Sequence, residues 1–105
     1  MTPQPVFDET AIAASAPVAL YAFPARAWKG DEYAVLQDAV PVLTVVSEPG
    51  SEAAWAGDSV DAMADRYAQA VASREAAKAR PIALFGWSVG ALVGPEVARR
   101  LRERF

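Results

Sequence analysis

The chain has 105 residues, 53% of them hydrophobic, a formal net charge of −3, and neither cysteine nor histidine. That length fits one small domain with enough apolar material for a core. The negative balance argues against nucleic-acid binding through phosphate neutralisation, and the missing cysteine and histidine leave no disulfide, no thiolate chemistry and no zinc site.

Residues 1–16 mix Pro, Thr, Ser and Ala with two acids and read as an irregular lead-in, with at most a weak strand or helical turn. They lack the basic start of a secretory signal, and no apolar run along the chain is long enough to span a bilayer, so a cytoplasmic location and no membrane partner are expected. The domain proper is expected over 17–105. Val18 to Phe23 is a strand apolar on both faces and ended by Pro24. Asp31 can cap a helix in which Tyr33, Leu36 and Val40 fall at helical spacing, closed by Pro41. Residues 42–46 are rich in β-branched side chains and predict a second strand. A loop follows, with Pro49-Gly50 as its turn signal.

Ser59 then caps the clearest helix, whose apolar face is Val60, Met63, Ala64, Tyr67, Ala70 and Val71, running to about Ala79. Ile82 to Phe85 is the third strand and Val89 to Arg104 the last helix. On that helix, Leu92, Val93, Val97 and Leu101 are core by spacing, whereas Arg99, Arg100, Arg102 and Arg104 read as a solvated face near a helix C-terminus. Pro95 removes a hydrogen bond to the carbonyl of Ala91 and should kink it.

Apolar strands alternating with helices predict an α/β fold: a parallel sheet of three or slightly more strands, covered on both faces. Right-handed crossovers favour the order second-first-third, with the two connecting helices on opposite faces. The crevice between the ends of the first and third strands is then a topological switch point, where open α/β sheets bind ligands. Ala25 and Arg26 follow the first strand into it, and residues 86–90 follow the third.

Those residues are Gly86-Trp87-Ser88-Val89-Gly90. A G-x-S-x-G run between strand and helix describes a nucleophile elbow, in which glycines permit the sharp turn and a serine hydroxyl is held above the sheet. The bland alternative is a small residue at a tight turn. Trp87 reads as core packing against the neighbouring layer. Asp31, Glu32, Asp58 and Asp61 are available carboxylates, each explained by a helix start.

With these segments on the page, the chain from Leu20 onward resembles the thioesterase domains of the α/β-hydrolase fold that serve nonribosomal peptide and polyketide synthetases. The resemblance rests on Tyr21-Ala22-Phe23-Pro24-Ala25, on Val45 to Gly50, on Ser59 through Tyr67, and most specifically on Phe85 through Leu101 with the elbow inside it. It implies that Ser88 accepts the acyl group. The backbone N–H of Val89, and one from Ala25 or Arg26, would be the oxyanion donors. The implied substrate is an acyl or peptidyl thioester on a carrier protein's phosphopantetheine, with no cofactor beyond that arm. Release would follow by hydrolysis or cyclisation.

Three departures stand against the family pattern. The turn after Phe23-Pro24 is bulky, with Arg26, Trp28 and Lys29 where glycines are usual. Pro95 sits inside the helix after the elbow. The acid and histidine that complete the triad come later in the family's chain order, so the sequence corresponds to roughly the first two-fifths of such a domain. A serine without a base is nearly unreactive at neutral pH, and loss of the histidine costs on the order of 10⁶ in turnover. Two readings follow: the N-terminal portion of a thioesterase, or a non-catalytic remnant or accessory binding module. Ile82 to Phe85 also lacks a neighbour on its outer side, which predicts pairing there with a second copy or a complementing segment.

Overall fold

The computed structural model describes residues 5–23, 33–47, 59–86 and 89–104. In chain order the elements are β1 (Val6–Asp8), α1 (Ala11–Ser15), β2 (Ala19–Phe23), α2 (Ala34–Ala39), β3 (Leu43–Ser47), α3 (Val60–Glu75), β4 (Ile82–Gly86) and α4 (Val89–Arg104). The sheet order is β1-β3-β2-β4. β2 runs parallel to both neighbours, with Leu20 opposite Leu43 on one side and Tyr21 opposite Leu84 on the other. The expected order second-first-third is thus present as β3-β2-β4.

The sheet is mixed rather than wholly parallel, because β1 adds antiparallel to β3, Phe7 opposite Val46. The lead-in therefore carries regular structure. Thr10 caps α1 by accepting from the Ala13 N–H at 3.0 Å. Phe7 meets the Tyr21 ring edge-on at 5.7 Å and lies under the Arg74 guanidinium at 4.2 Å. Gln37 of α2 reaches the Asp8 carbonyl at 3.0 Å.

Strand alternation divides the core between the two faces. Ala19, Tyr21, Phe23 and Val46 point to the side covered by α3 and α4, against Met63, Tyr67, Val71, Val93 and Val97. Ala22, Leu43 and Val45 point the other way, toward Tyr33 before α2. The crossover helices α2 and α3 thus lie on opposite faces, as right-handed connections on either side of β2 require. Phe23 stacks on Tyr67 with ring centroids 5.3 Å apart. Each large apolar side chain buried this way contributes about 1.5–3 kcal/mol.

Several expectations are corrected. The helix before β3 covers only Ala34–Ala39, with Tyr33 at its N-cap making no side-chain cap bond; Asp31 lies outside the described residues. Ser59 does cap α3, accepting from the Ala62 N–H at 3.0 Å, but that helix ends at Glu75. The chain turns through 76–78 and Ala79 adopts φ 49°, the left-handed conformation that stops a helix. Among the described residues β4 is only partly covered on its second face: Ala83 and Phe85 are exposed, although the Tyr33 ring reaches Phe85. On α4, Val93 and Val97 are core, whereas Leu92 is 62% exposed, since the helix turns it away from the sheet. The helix continues through Pro95 to Arg104.

Arg100 is not on a solvated face. It is buried between α3 and α4, donating to Asp61 at 3.0 Å and to Glu96 at 2.9 Å. Arg104 likewise pairs with Asp65 at 2.6 Å.

Candidate active site

The switch point is present in the backbone. The chain leaves β2 for β3 on one side, then returns past it to β4 on the other. Phe23 and Gly86, the last residues of β2 and β4, are register partners. Both strands therefore end at the same level of the sheet. In sequence, Ala25 and Arg26 follow β2, and Ser88 follows β4.

Tyr33 braces this end of the sheet. It is buried, its hydroxyl donates to the Phe23 carbonyl, and its ring meets Phe85 edge-on at 5.7 Å. One side chain thus ties the start of α2 to the ends of both strands. Sequence reading placed Tyr33 on a helix face and missed this role. An aromatic hydroxyl shortly after a strand ending Phe-Pro is the signal that was available.

Of the candidate site residues, Val89 is described through its backbone. It is the first residue of α4, and the first N–H groups of a helix have no intrahelical acceptor. Ser88, Trp87, Ala25 and Arg26 lie outside the described residues, as do Asp31, Glu32 and Asp58. Asp61 is in the first turn of α3, where it pairs with Arg100 across the helix interface. That is a structural role.

The titratable cluster with shifted protonation lies elsewhere. The Glu75 carboxylate accepts from Arg80 Nε at 2.8 Å and Nη2 at 2.9 Å, and from the Tyr21 hydroxyl. The Arg80 hydrogen bonds hold the Glu75 carboxyl below the usual range, against the opposing effect of burial. Burial, then the bond to Glu75, pushes the Tyr21 phenol up to about 12. Arg80 Nη1 also donates to the carbonyls of Ala13 and Ala16, 2.9 Å each. All its partners are internal, so the cluster fastens α1 to the sheet and is not a catalytic constellation. Among the described residues no group of three or more acidic side chains converges to hold a metal ion.

Comparison with known proteins agrees with this geometry. The thioesterase-domain family matches residues 19–104. No curated protein sequence matches the chain. Among solved structures, a covalent complex of the NocB thioesterase domain with a fluorophosphonate nocardicin G analog is similar at TM-score 0.70 and 23% identity, covering 92% of this chain and 44% of that one. A second structure of the NocB thioesterase domain, from the nocardicin cluster, is similar at TM-score 0.59 and 20% identity, covering 81% and 38%. The chain therefore spans less than half the length of these structural relatives. The family match covers residues 19–104, most of the chain, and the chain belongs to the thioesterase-domain family.

Proposed function

We propose that this chain supplies the nucleophile-bearing portion of a thioesterase that releases acyl or peptidyl groups from a carrier-protein phosphopantetheine thioester through an acyl-Ser88 intermediate. The observation that supports the reading is the Phe23–Gly86 register, which ends β2 and β4 at one level of the sheet, the two strands that Ala25 and Arg26, and Ser88, follow in sequence. Val89 N–H is one oxyanion donor and an N–H of Ala25 or Arg26 the other. Such donors act on charge that appears only in the tetrahedral intermediate, and removal of one costs about 3–4 kcal/mol. The carrier protein is the partner, the reaction needs no metal or resident cofactor, and a cytoplasmic setting suits a carrier-bound substrate.

Histidine is absent from the sequence, so the general base must come from elsewhere. The same observation favours a second reading, a non-catalytic remnant or accessory module. Two measurements separate them. Incubated with an acyl-pantetheine thioester, the chain should release thiol no faster than its Ser88→Ala variant; clear excess would overturn the requirement for an outside base. A coding sequence that continues in frame to an acid and a histidine supports the thioesterase reading, and an immediate stop supports the remnant.

A further inference from the structure

Tyr33 does more than fill the core. Its ring packs with Ala22, Leu43 and Val45, a place that a phenylalanine ring would fill as well. The hydroxyl is a polar group added to that packing, and burying one is costly unless it finds a partner. Tyr33 is 3% exposed, and its hydroxyl donates to the carbonyl of Phe23, the last residue of β2. The same ring meets Phe85, one residue before the end of β4, edge-on at 5.7 Å. Hydroxyl and ring therefore act on different strands.

Phe23 and Gly86 form the last rung of the β2–β4 pairing. The carbonyl that Tyr33 holds belongs to the peptide unit between Phe23 and Pro24, whose atoms share a plane, so holding the oxygen orients the whole unit. Pro24 follows in sequence, and a proline ring leaves its residue almost no freedom in φ. A direction set at the Phe23 carbonyl is therefore passed on by covalent geometry.

We propose that Tyr33 is a positioning residue for acyl transfer. Its hydroxyl orients the end of β2 and its ring the end of β4, so the oxyanion donor that follows one strand and the nucleophile that follows the other start from matched points of the sheet. This rests on the reading of Ser88 as nucleophile. Tyr33 takes no proton and binds no substrate in this role.

Tyr33→Phe keeps the ring and removes only the hydroxyl. Imidazole added to the full chain supplies a base, and thiol release from an acyl-pantetheine thioester is measured as the excess over Ser88→Ala. Per folded molecule, with the folded fraction read by circular dichroism, Tyr33→Phe should lower kcat about tenfold at unchanged KM, short of the about 10²–10³ lost with a donor itself. An unchanged kcat, or a loss that the folded fraction accounts for entirely, would overturn the proposal. Nuclear magnetic resonance gives a readout free of Ser88 chemistry. In the variant the Phe23 carbonyl carbon should move upfield and the Gly86 amide should move with it, while the amides of Val71 and Val97 stay in place. A wild-type chain with no excess over Ser88→Ala would count against the thioesterase reading, and the resonances then decide the bracing alone: a Gly86 amide indifferent to the lost hydroxyl overturns it.

Discussion

Glu75→Gln tests whether the Tyr21–Glu75–Arg80 cluster holds the fold together. The Glu75 and Arg80 side chains are 4% and 7% exposed, so water does little to soften a loss. The carboxylate accepts two bonds from Arg80 and one from Tyr21. An amide keeps one oxygen and turns its NH₂ toward groups that themselves donate. One to two charge-assisted bonds disappear, each worth about 1.5–3 kcal/mol, and the guanidinium stays buried beside a neutral group. A net cost of about 3 kcal/mol is expected, a large part of the ~5–15 kcal/mol available to such a domain. Urea denaturation followed by circular dichroism measures it, read from the midpoint at unchanged slope. The pH dependence supplies a second signature. A carboxylate whose folded pKa is depressed contributes stability that is complete above its unfolded value of roughly 4.3 and is lost as pH falls through the folded value. The wild-type chain should lose stability in that acidic window, and the variant should lose less. A cost below about 1 kcal/mol with an unchanged acid profile would show that the cluster is solvated and that α1 is held by its apolar contacts alone.

The Tyr21 phenol, raised to about 12, is neutral in the folded state while an unfolded tyrosine ionises near 10. Its contribution is complete below about 10 and is lost as pH rises toward 12, so Tyr21→Phe should flatten the alkaline stability profile in that window. Ser59→Ala removes the cap on α3 and should cost about 1 kcal/mol in urea titrations, with Ser59→Asp recovering most of it. In Gly94→Ala the new methyl meets no atom beyond its chain neighbours, so a helix-propensity gain of about 0.5–1 kcal/mol is opposed only by crowding against the Pro95 ring, and thermal unfolding should show a change of less than about 1 kcal/mol; a larger loss would mean that the adjoining groove between α4 and β4 is filled in solution.

Much of the fold is legible because its signals are local. Val42 through Val46, interrupted only by Thr44, and Ile82 through Phe85 are apolar runs each preceded by a proline, and Ser59 precedes a helical face with a serine's ordinary capping preference. β1 is not legible for the opposite reason. Three residues with one inward side chain, Phe7, carry no period, and the strand exists because Val45 to Ser47 offer it a ladder. Leu92 belongs to an apolar arc that spacing alone cannot orient; which half of the arc is core depends on where the sheet lies. At the candidate site, sequence supplies the elbow motif, whereas the register that sets Phe23 beside Gly86 belongs to the pairing of strands some sixty residues apart.

The charged residues mark the limit most clearly. In sequence, the arginines from Arg99 to Arg104 form one basic run at a helix end, and the dipole accounts for all of them equally. In the fold they have different jobs. Arg100 is drawn inward by Asp61, 39 positions earlier, while Arg102, two positions on, faces the groove beside β4 and meets no carboxylate among the described residues. Arg80 shows the same dependence on distant groups, with acceptors at Ala13 and Ala16, more than sixty positions away. Helical periodicity can say that such residues are amphipathic in their stems and charged at their tips, but it cannot say which tip finds a partner. That choice lies in the tertiary arrangement of α1, α3 and α4. It fastens the lead-in, outside the family match, to the sheet, and it leaves Arg102 beside β4.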